Sequence, residues 1–347
     1  MVIMALDHVR DFFHADALQF QPDDLSRTTV ALFLTRWITH FCAPVFMFTA
    51  GTSAYLWRGQ RHSNSELSSY LWKRGLWLVV LELTVLRAAL TFHPWSGPVL
   101  LTVLWALGWS MVALGLLSRI PVRAVAVLSI GIIAFHNLAD PLSFDNPFWK
   151  ILHQRGGFAL GGLTVVVGYP LIPWIAVMAA GFSFGEVLTM NEEARQKWLV
   201  RLGLGLSLGF VVLRMVNIYG DPQRWSAQSS PAFTVLSFLK CTKYPPSLDF
   251  LLMTLGPALL LLGWFYRLSL PASHPLVVIG RVPLFYFLVH MWAAHLLTIP
   301  FALIHSGGYS LGTVYIVWVI VVGLMYPLCV WFAKLKSRSR SWWLAYL

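Results

Sequence analysis

Eight residues near the start of the chain, Asp7-His8-Val9-Arg10-Asp11-Phe12-Phe13-His14, set two carboxylates and two imidazoles between apolar stretches of membrane grade. Asp and His are the side chains that most readily move protons near neutral pH. On a helix, Asp7, Asp11 and His14 (i, i+4, i+7) share one face, and His8 sits beside Asp11. Ionisable groups at the edge of hydrocarbon are costly, so a cluster of them marks a functional site. The chemistry it suits is activation of an amine or hydroxyl by a general base, or passage of an acyl group through an imidazole. Under that reading His14 or His8 is the base or acyl carrier, and Asp7 or Asp11 orients the ring.

Further along, Arg36 and His40 stand at i, i+4, about a turn into an apolar run from its outer end. They are followed by Phe41-Cys42-Ala43-Pro44 and by the small residues Ala50-Gly51-Thr52-Ser53, which allow close helix packing. The pair reads as readily as a mutually satisfied buried couple as it does as a wall of the site. In Lys240-Cys241-Thr242-Lys243-Tyr244-Pro245-Pro246-Ser247-Leu248 two prolines fix the backbone just ahead of an apolar run. That holds Lys243 and Tyr244 at the interface, within reach of the octad if the helices neighbour; a Lys–Tyr pair also serves as a headgroup anchor. Tyr169-Pro170-Leu171-Ile172-Pro173-Trp174 reads as helix initiation. Gly280-Arg281-Val282-Pro283-Leu284-Phe285 leads to His290, in a run that also holds His295. Arg36, His40, Lys243, Tyr244 and His290 are the candidate substrate-binding residues. Glu82, Arg87, His136 and Asn137 add further polarity within apolar runs. There is no phosphate-cradling Gly loop followed by Lys-Ser/Thr, no Cys-x-x-Cys, no His-Glu-x-x-His and no Gly-x-Ser-x-Gly. An ATP-driven pump is excluded, and no metal site is indicated.

The elements that must position these residues follow from composition. Of 347 residues 58% are hydrophobic and only 11% charged, against about 25% charged in soluble domains. This predicts an all-α, polytopic membrane bundle. Apolar runs fall near 29–57, 75–92, 98–118, 124–139, 171–189, 202–218, 248–266, 276–304 and 312–333, and the N-terminal stub makes ten elements. Met1 to Leu6 reach only about 9 Å as helix where a span needs about 20 residues, so the chain begins as a membrane-edge stub or its first helix starts upstream. Three cysteines, far apart, give neither a zinc spacing nor a disulfide framework. The net charge of +11 does not form a basic domain clear of the apolar runs, which excludes a nucleic-acid partner. Instead fourteen Lys and Arg fall in loops on one side, seven on the other, and four within or at the ends of runs. By the positive-inside rule the fourteen face the cytoplasm, the octad faces outward and the C-terminus lies inside. Residues 1–347 form one domain with external lids at 140–170 and 219–247; within the first, Phe158 to Gly168 is expected to be a short re-entrant or interfacial helix. No internal repeat is visible, which weakens a transporter built from inverted halves.

Together these segments resemble the bacterial membrane family grouped with heparan-α-glucosaminide N-acetyltransferase, the lysosomal enzyme. The resemblance is carried by Met4 to Phe13, Phe33 to Phe46, Tyr169 to Trp174, Lys243 to Leu248 and Arg281 to Phe285, in the family's order. Asp7 matches by position an Asn of the lysosomal enzyme, and His14 its catalytic His, at a shorter spacing and without the Trp-Asn-Gly that follows there. His40 precedes Pro44 where that enzyme has an Asp before Phe-Pro, and the family's Arg-Gly pair early in the first helix is missing. The resemblance implies transfer of an acetyl group from cytoplasmic acetyl-CoA, as co-substrate, to an external amino sugar or glycan. The setting it implies is the bacterial inner membrane, among lipid, and a homo-oligomer stays open. A transporter or flippase of a sugar or lipid-linked precursor is the main rival, favoured by Glu82 and His290 lying deeper than the other polar residues; a membrane scaffold is the third reading.

Overall fold

The computed structural model describes residues 1–17, 19–60, 62–93, 97–268, 270–305, 307–339 and 341, so two of the counted bases, Arg61 and Arg340, lie outside the described residues. The chain folds as a helical bundle. α1 (Val2–Phe13) leads to α2 (Val30–Thr39) and α3 (Cys42–Arg58), then α4 (Asn64–Leu81) and, after a π-helical turn at Glu82–Leu86, α5 (Arg87–Thr91). A short strand β1 (Val99–Leu101) precedes α6 (Val103–Leu117) and α7 (Val122–Phe135), and a 3-10 turn His136–Ala139 ends α7. α8 (Pro147–Leu152), β2 (Gly156–Leu160) and β3 (Leu163–Val167) fill the next segment. Then come α9 (Leu171–Leu188), α10 (Glu192–Val216), α11 (Pro231–Leu239), α12 (Leu248–Phe265), α13 (Pro275–Arg281), α14 (Pro283–Ile304) and α15 (Leu311–Arg338).

Each of the ten apolar stretches falls mainly on one helix or on consecutive helical segments, although the stretch near 98–118 opens with strand β1. Among the described residues, seven stretches, counting α2 with α3, are long and apolar enough to cross a membrane. The protein is therefore a multi-pass membrane protein. Its outer surface is that of a lipid-facing bundle: Val127, Ile130 and Phe135 on α7 and Ile316 and Val319 on α15 are all more than 60% exposed. The junction of α2 and α3 is a kink. Pro44 has no N–H to offer the His40 carbonyl one turn back, while His40 and Phe41 keep right-handed helical angles.

The segment 158–168 is not helical. Gly161 and Gly162 adopt positive φ, +55° and +82°, and close a two-residue hairpin turn between β2 and β3. The β-branched Thr164, Val165, Val166 and Val167 favour extended backbone, and β3 pairs in parallel with β1 on its other edge. The Gly-Gly pair was the signal that an all-helical expectation overrode.

Buried apolar residues form two main cores. One joins Met47, Leu78, Met111, Trp174, Phe182, Phe250 and Met291 across α3, α4, α6, α9, α12 and α14. The other gathers Ala5, Leu6, Val9 and Phe13 of α1 against Val282, Tyr286, Val317 and Met325. Met4 of α1 belongs to the first core. The small residues on α3 do what their size permits: a Cβ on Gly51 would stand 1.9 Å from the Met178 carbonyl oxygen, and one on Gly181 2.0 Å from that of Phe48. α3 and α9 thus touch backbone to backbone.

Gly181→Ala is expected to destabilise the protein by about 1–3 kcal/mol, the range for overpacking a tight contact. Gly131→Ala, on the open face of α7 where a Cβ meets nothing within 4 Å, should leave stability unchanged or slightly raised. Thermal melts of the two variants in one detergent check the contrast.

Candidate active site

Asp7 is the hub. The residue is 8% exposed, and its carboxylate accepts hydrogen bonds from Arg10 Nη2 at 2.6 Å, from Arg36 Nη1 at 2.8 and 2.9 Å, and from Thr39 Oγ1 at 2.7 Å. Arg10 follows at i+3 on the same helix, whereas Arg36 and Thr39 come from one face of α2. Arg10 also donates to Asp11 at 2.7 Å, whose side chain is half exposed. Asp7 and Asp11 balance Arg10 and Arg36, so the further cation Lys243 leaves the site with net positive charge. Nε and Nη1 of Arg10 and Nε of Arg36 make no hydrogen bond among the described residues. Buried donors of this kind are rare and carry a cost until a polar group reaches them.

His8, the next residue, turns the other way. Its Nδ1 lies 2.7 Å from Nε2 of His290, and Nδ1 of His290 lies 2.8 Å from the Tyr286 carbonyl oxygen. A carbonyl only accepts, so His290 Nδ1 carries the proton and its Nε2 has the lone pair. His8 Nδ1 must then donate, which leaves Nε2 of His8 as the free basic atom. No hydrogen bond reaches that Nε2 among the described residues, and His8 is only partly buried. The chain Tyr286–His290–His8 thus fixes a tautomer and presents a lone pair, as a general base requires.

The third part is the loop before α12. Lys243 is 8% exposed, its Nζ is 5.2 Å from the centre of the Tyr244 ring, and its charge is felt at Asp7, His8 and His40. Tyr244 donates to the Tyr169 hydroxyl at 3.3 Å, and the Arg155 guanidinium stacks 5.3 Å from the Tyr244 ring centre. Burial, with the Tyr244 phenol beside it, holds the Tyr169 hydroxyl well above the usual phenol range, so Tyr169 stays protonated. The Tyr244–Pro245 peptide is cis.

A buried Arg214 and a partly buried Asp221 hold this loop. Arg214 donates to the carbonyls of Phe238, Gln223, Ser237 and Lys240 and sits 3.7 Å from Asp249. Asp221 accepts from Thr242 N at 2.7 Å, Thr242 Oγ1 at 2.9 Å and Ser247 Oγ. Asn137 Oδ1 accepts from Leu248 N at 2.9 Å. Arg214 and Asn137 were visible in the sequence only as stray polarity in apolar runs, and Asp221 and Thr39 not at all. An Arg in an apolar run does announce a buried partner set, but not which carbonyls it serves.

Asp7, Arg36, Lys243 and Tyr244 therefore surround one site, with His8, His290 and His40 against it. His40 is buried edge-on to Phe250, and its Nδ1 has no partner among the described residues. His14 stands apart at the end of α1, accepting from the Asp16 amide at 3.2 Å and forming an isolated bridge with Tyr309. Glu82 is a helix cap: its two oxygens accept from Thr102 N and Oγ1, Leu104 N and Trp105 N at the start of α6. His295 is packed between Phe12 and Phe92 and bonded to the Ala89 carbonyl.

A helical bundle with a paired carboxylate, two guanidiniums and an imidazole relay in its interior defines a polytopic membrane protein with an ionisable internal site. The chain belongs to the family described as heparan-alpha-glucosaminide N-acetyltransferase, catalytic, whose profile matches residues 1–212. It is an acetyltransferase-like membrane protein. The matched part carries Asp7, His8, Arg36 and His40, while Lys243, Tyr244 and His290 lie beyond it. No curated protein and no solved structure matches the chain.

Replacing Asp7 by Asn keeps the shape but leaves Arg36 buried without a counter-charge and Arg10 with only the half-exposed Asp11. Breaking a buried ion pair from one side costs about 3–5 kcal/mol, so Asp7→Asn should lower the melting temperature sharply. Asp11→Asn, at the half-exposed neighbour, should leave it close to wild type. Equal melting of both variants would remove Asp7 from its central place.

Proposed function

We propose that this protein transfers an acetyl group from cytoplasmic acetyl-CoA to an amino sugar or glycan on the outer side of the bacterial inner membrane. The observation that carries the reading is the relay from Tyr286 through His290, which leaves Nε2 of His8 as a lone pair beside a cationic site. Its depth fits a reaction supplied from both sides. His290 is seven residues beyond Pro283 and fourteen before Ile304, about 10 Å and 21 Å along α14. The Pro283 end adjoins Arg281 and, by the distribution of Lys and Arg, is the cytoplasmic one. Basic loops on that side suit the phosphates of CoA.

The residues fit a thioester. As the acceptor nitrogen bonds to the acyl carbon, the carbon–sulfur bond breaks and the sulfur leaves with the electron pair. His8 Nε2 takes the proton released by the nitrogen and returns it to the departing sulfur. Negative charge developing on the carbonyl oxygen is met by the spare donors of Arg10 and Arg36 and by Lys243. Asp7 acts by fixing both guanidiniums rather than by orienting an imidazole. Tyr244 and His40 line the acceptor side, with Tyr169 behind Tyr244.

His14, the alternative base, is bonded to local backbone on the outer side, and Asp11 reaches only Arg10, which supports His8 in that role. The rival reading as a transporter drew on Glu82 and His290 as deep polar residues. One caps a helix and the other holds His8, and neither bond favours a path through both leaflets.

Purified protein in nanodiscs, given acetyl-CoA and a glucosamine-type acceptor, should release CoA only when acceptor is present. His8→Ala should lower this turnover by about 10²–10⁴-fold, the range for loss of a general base, while His14→Ala should change it less than about threefold. Undiminished turnover in His8→Ala protein that still melts cooperatively would end the assignment. Acceptor uptake into liposomes without CoA release would turn it toward transport.

A further inference from the structure

Away from the Asp7 site, three side chains with metal-ligating atoms converge where the polar turn after α7 meets the end of α8. His136 opens the 3-10 turn, Asp140 follows that turn, and His153 follows α8. Their ligating atoms lie within 4.8 Å of one another. His153 Nε2 is 3.0 Å from Asp140 Oδ1, and the two imidazole centres are 5.6 Å apart.

A plain ion pair accounts for Asp140 and His153 but not for His136. That ring is only 7% exposed, and neither of its nitrogens has a hydrogen-bond partner among the described residues. The Pro246 carbonyl lies beside it. A buried imidazole with both nitrogens unbonded is costly, and it is the arrangement that a metal ion relieves.

We infer that His136, Asp140 and His153 bind a divalent first-row metal ion, zinc before the others, in a three-ligand site. Two imidazoles and a carboxylate are a donor set that zinc takes readily, with a fourth position left over. Zinc–ligand bonds of about 2.0–2.1 Å in a tetrahedron place ligand atoms about 3.3 Å apart. His153 and Asp140, at 3.0 Å, need open only slightly to reach that spacing, and turning the His136 ring closes the remainder. The outer shell is built as well. Asp140 Oδ2 accepts from Asn137 Nδ2 at 2.7 Å, which orients the carboxylate, and Asn137 in turn holds Leu248 N. With one nitrogen on the metal, the other nitrogen of His136 can donate to the Pro246 carbonyl. The ion thereby ties the end of α7 and the residues after α8 to the loop carrying Lys243 and Tyr244. The spacing His-x3-Asp-x12-His matches no zinc signature, so the sequence pointed to no metal.

The test uses the full chain in detergent, stripped with a chelator and titrated with Zn²⁺ by calorimetry, with metal content measured after gel filtration. Wild type should bind one ion per chain and melt at a higher temperature when loaded. In the Co²⁺-loaded protein, the visible ligand-field bands of a four-coordinate site should appear. His136→Phe removes a ring that makes no hydrogen bond, so it should fold and yet bind at least about 100-fold more weakly, and Asn137→Ala about 10- to 100-fold more weakly, as outer-shell losses do. His153→Ala provides a second ligand deletion, read by metal content in whatever fraction stays monodisperse. No stoichiometric ion in wild type, or equal binding by His136→Phe, overturns the site.

Discussion

Burying a carboxylate among apolar helices is unfavourable unless its charge is answered at once, and Asp7 is answered twice over. Arg10 reaches it from the same helix, Arg36 and Thr39 from the next. This one neutralised cluster determines how α1 is seated inside the bundle. It also decides which way His8 faces. With residue 7 turned to the guanidiniums, residue 8 lies about 100° further round the helix and meets His290 of α14. The imidazole relay and the ion-pair cluster are thus two faces of one short helix, each keeping the other in register.

The loop before α12 depends on a different kind of support. It contributes Lys243 and Tyr244 but has no regular structure; Arg214 meets the Lys240 carbonyl at its start together with the end of α11, and Asp221 meets the Thr242 amide. A buried Arg with four backbone carbonyls is a structural staple. It holds irregular backbone in place just ahead of the span, where unpaired buried groups would be costly.

Much of this was legible in the residues. Hydrophobic runs predicted the helices because lipid-facing and core-facing positions are both apolar, and length alone separates one from the next. The octad stood out because Asp and His have no cheap place at a membrane edge. What could not be read was partnership: which of His8 and His14 turns inward depends on a 100° step, and a lone His290 says nothing of a second imidazole meeting it. Glu82 showed the opposite failure, since a carboxylate deep in a run looks functional until it is seen capping α6. The hairpin at 156–167 was missed because the surrounding hydrophobicity was read as helix although Gly161-Gly162 and four β-branched residues argued for strands.

α1 has its feet in both hydrophobic cores, Met4 in one and Leu6, Val9 and Phe13 in the other. Of the two guanidiniums on Asp7, one travels with α1, and the other belongs to α2, which leads directly into the α3 that the glycine contacts hold to α9. The Asp7–Arg36 bond therefore works as a latch across a seam. Sliding the α13–α15 block against the rest strips the carboxylate of one cation while the other stays. Any such motion is coupled to the charge balance of the chemistry beside it, so a ligand that supplies an anion of its own would loosen the latch.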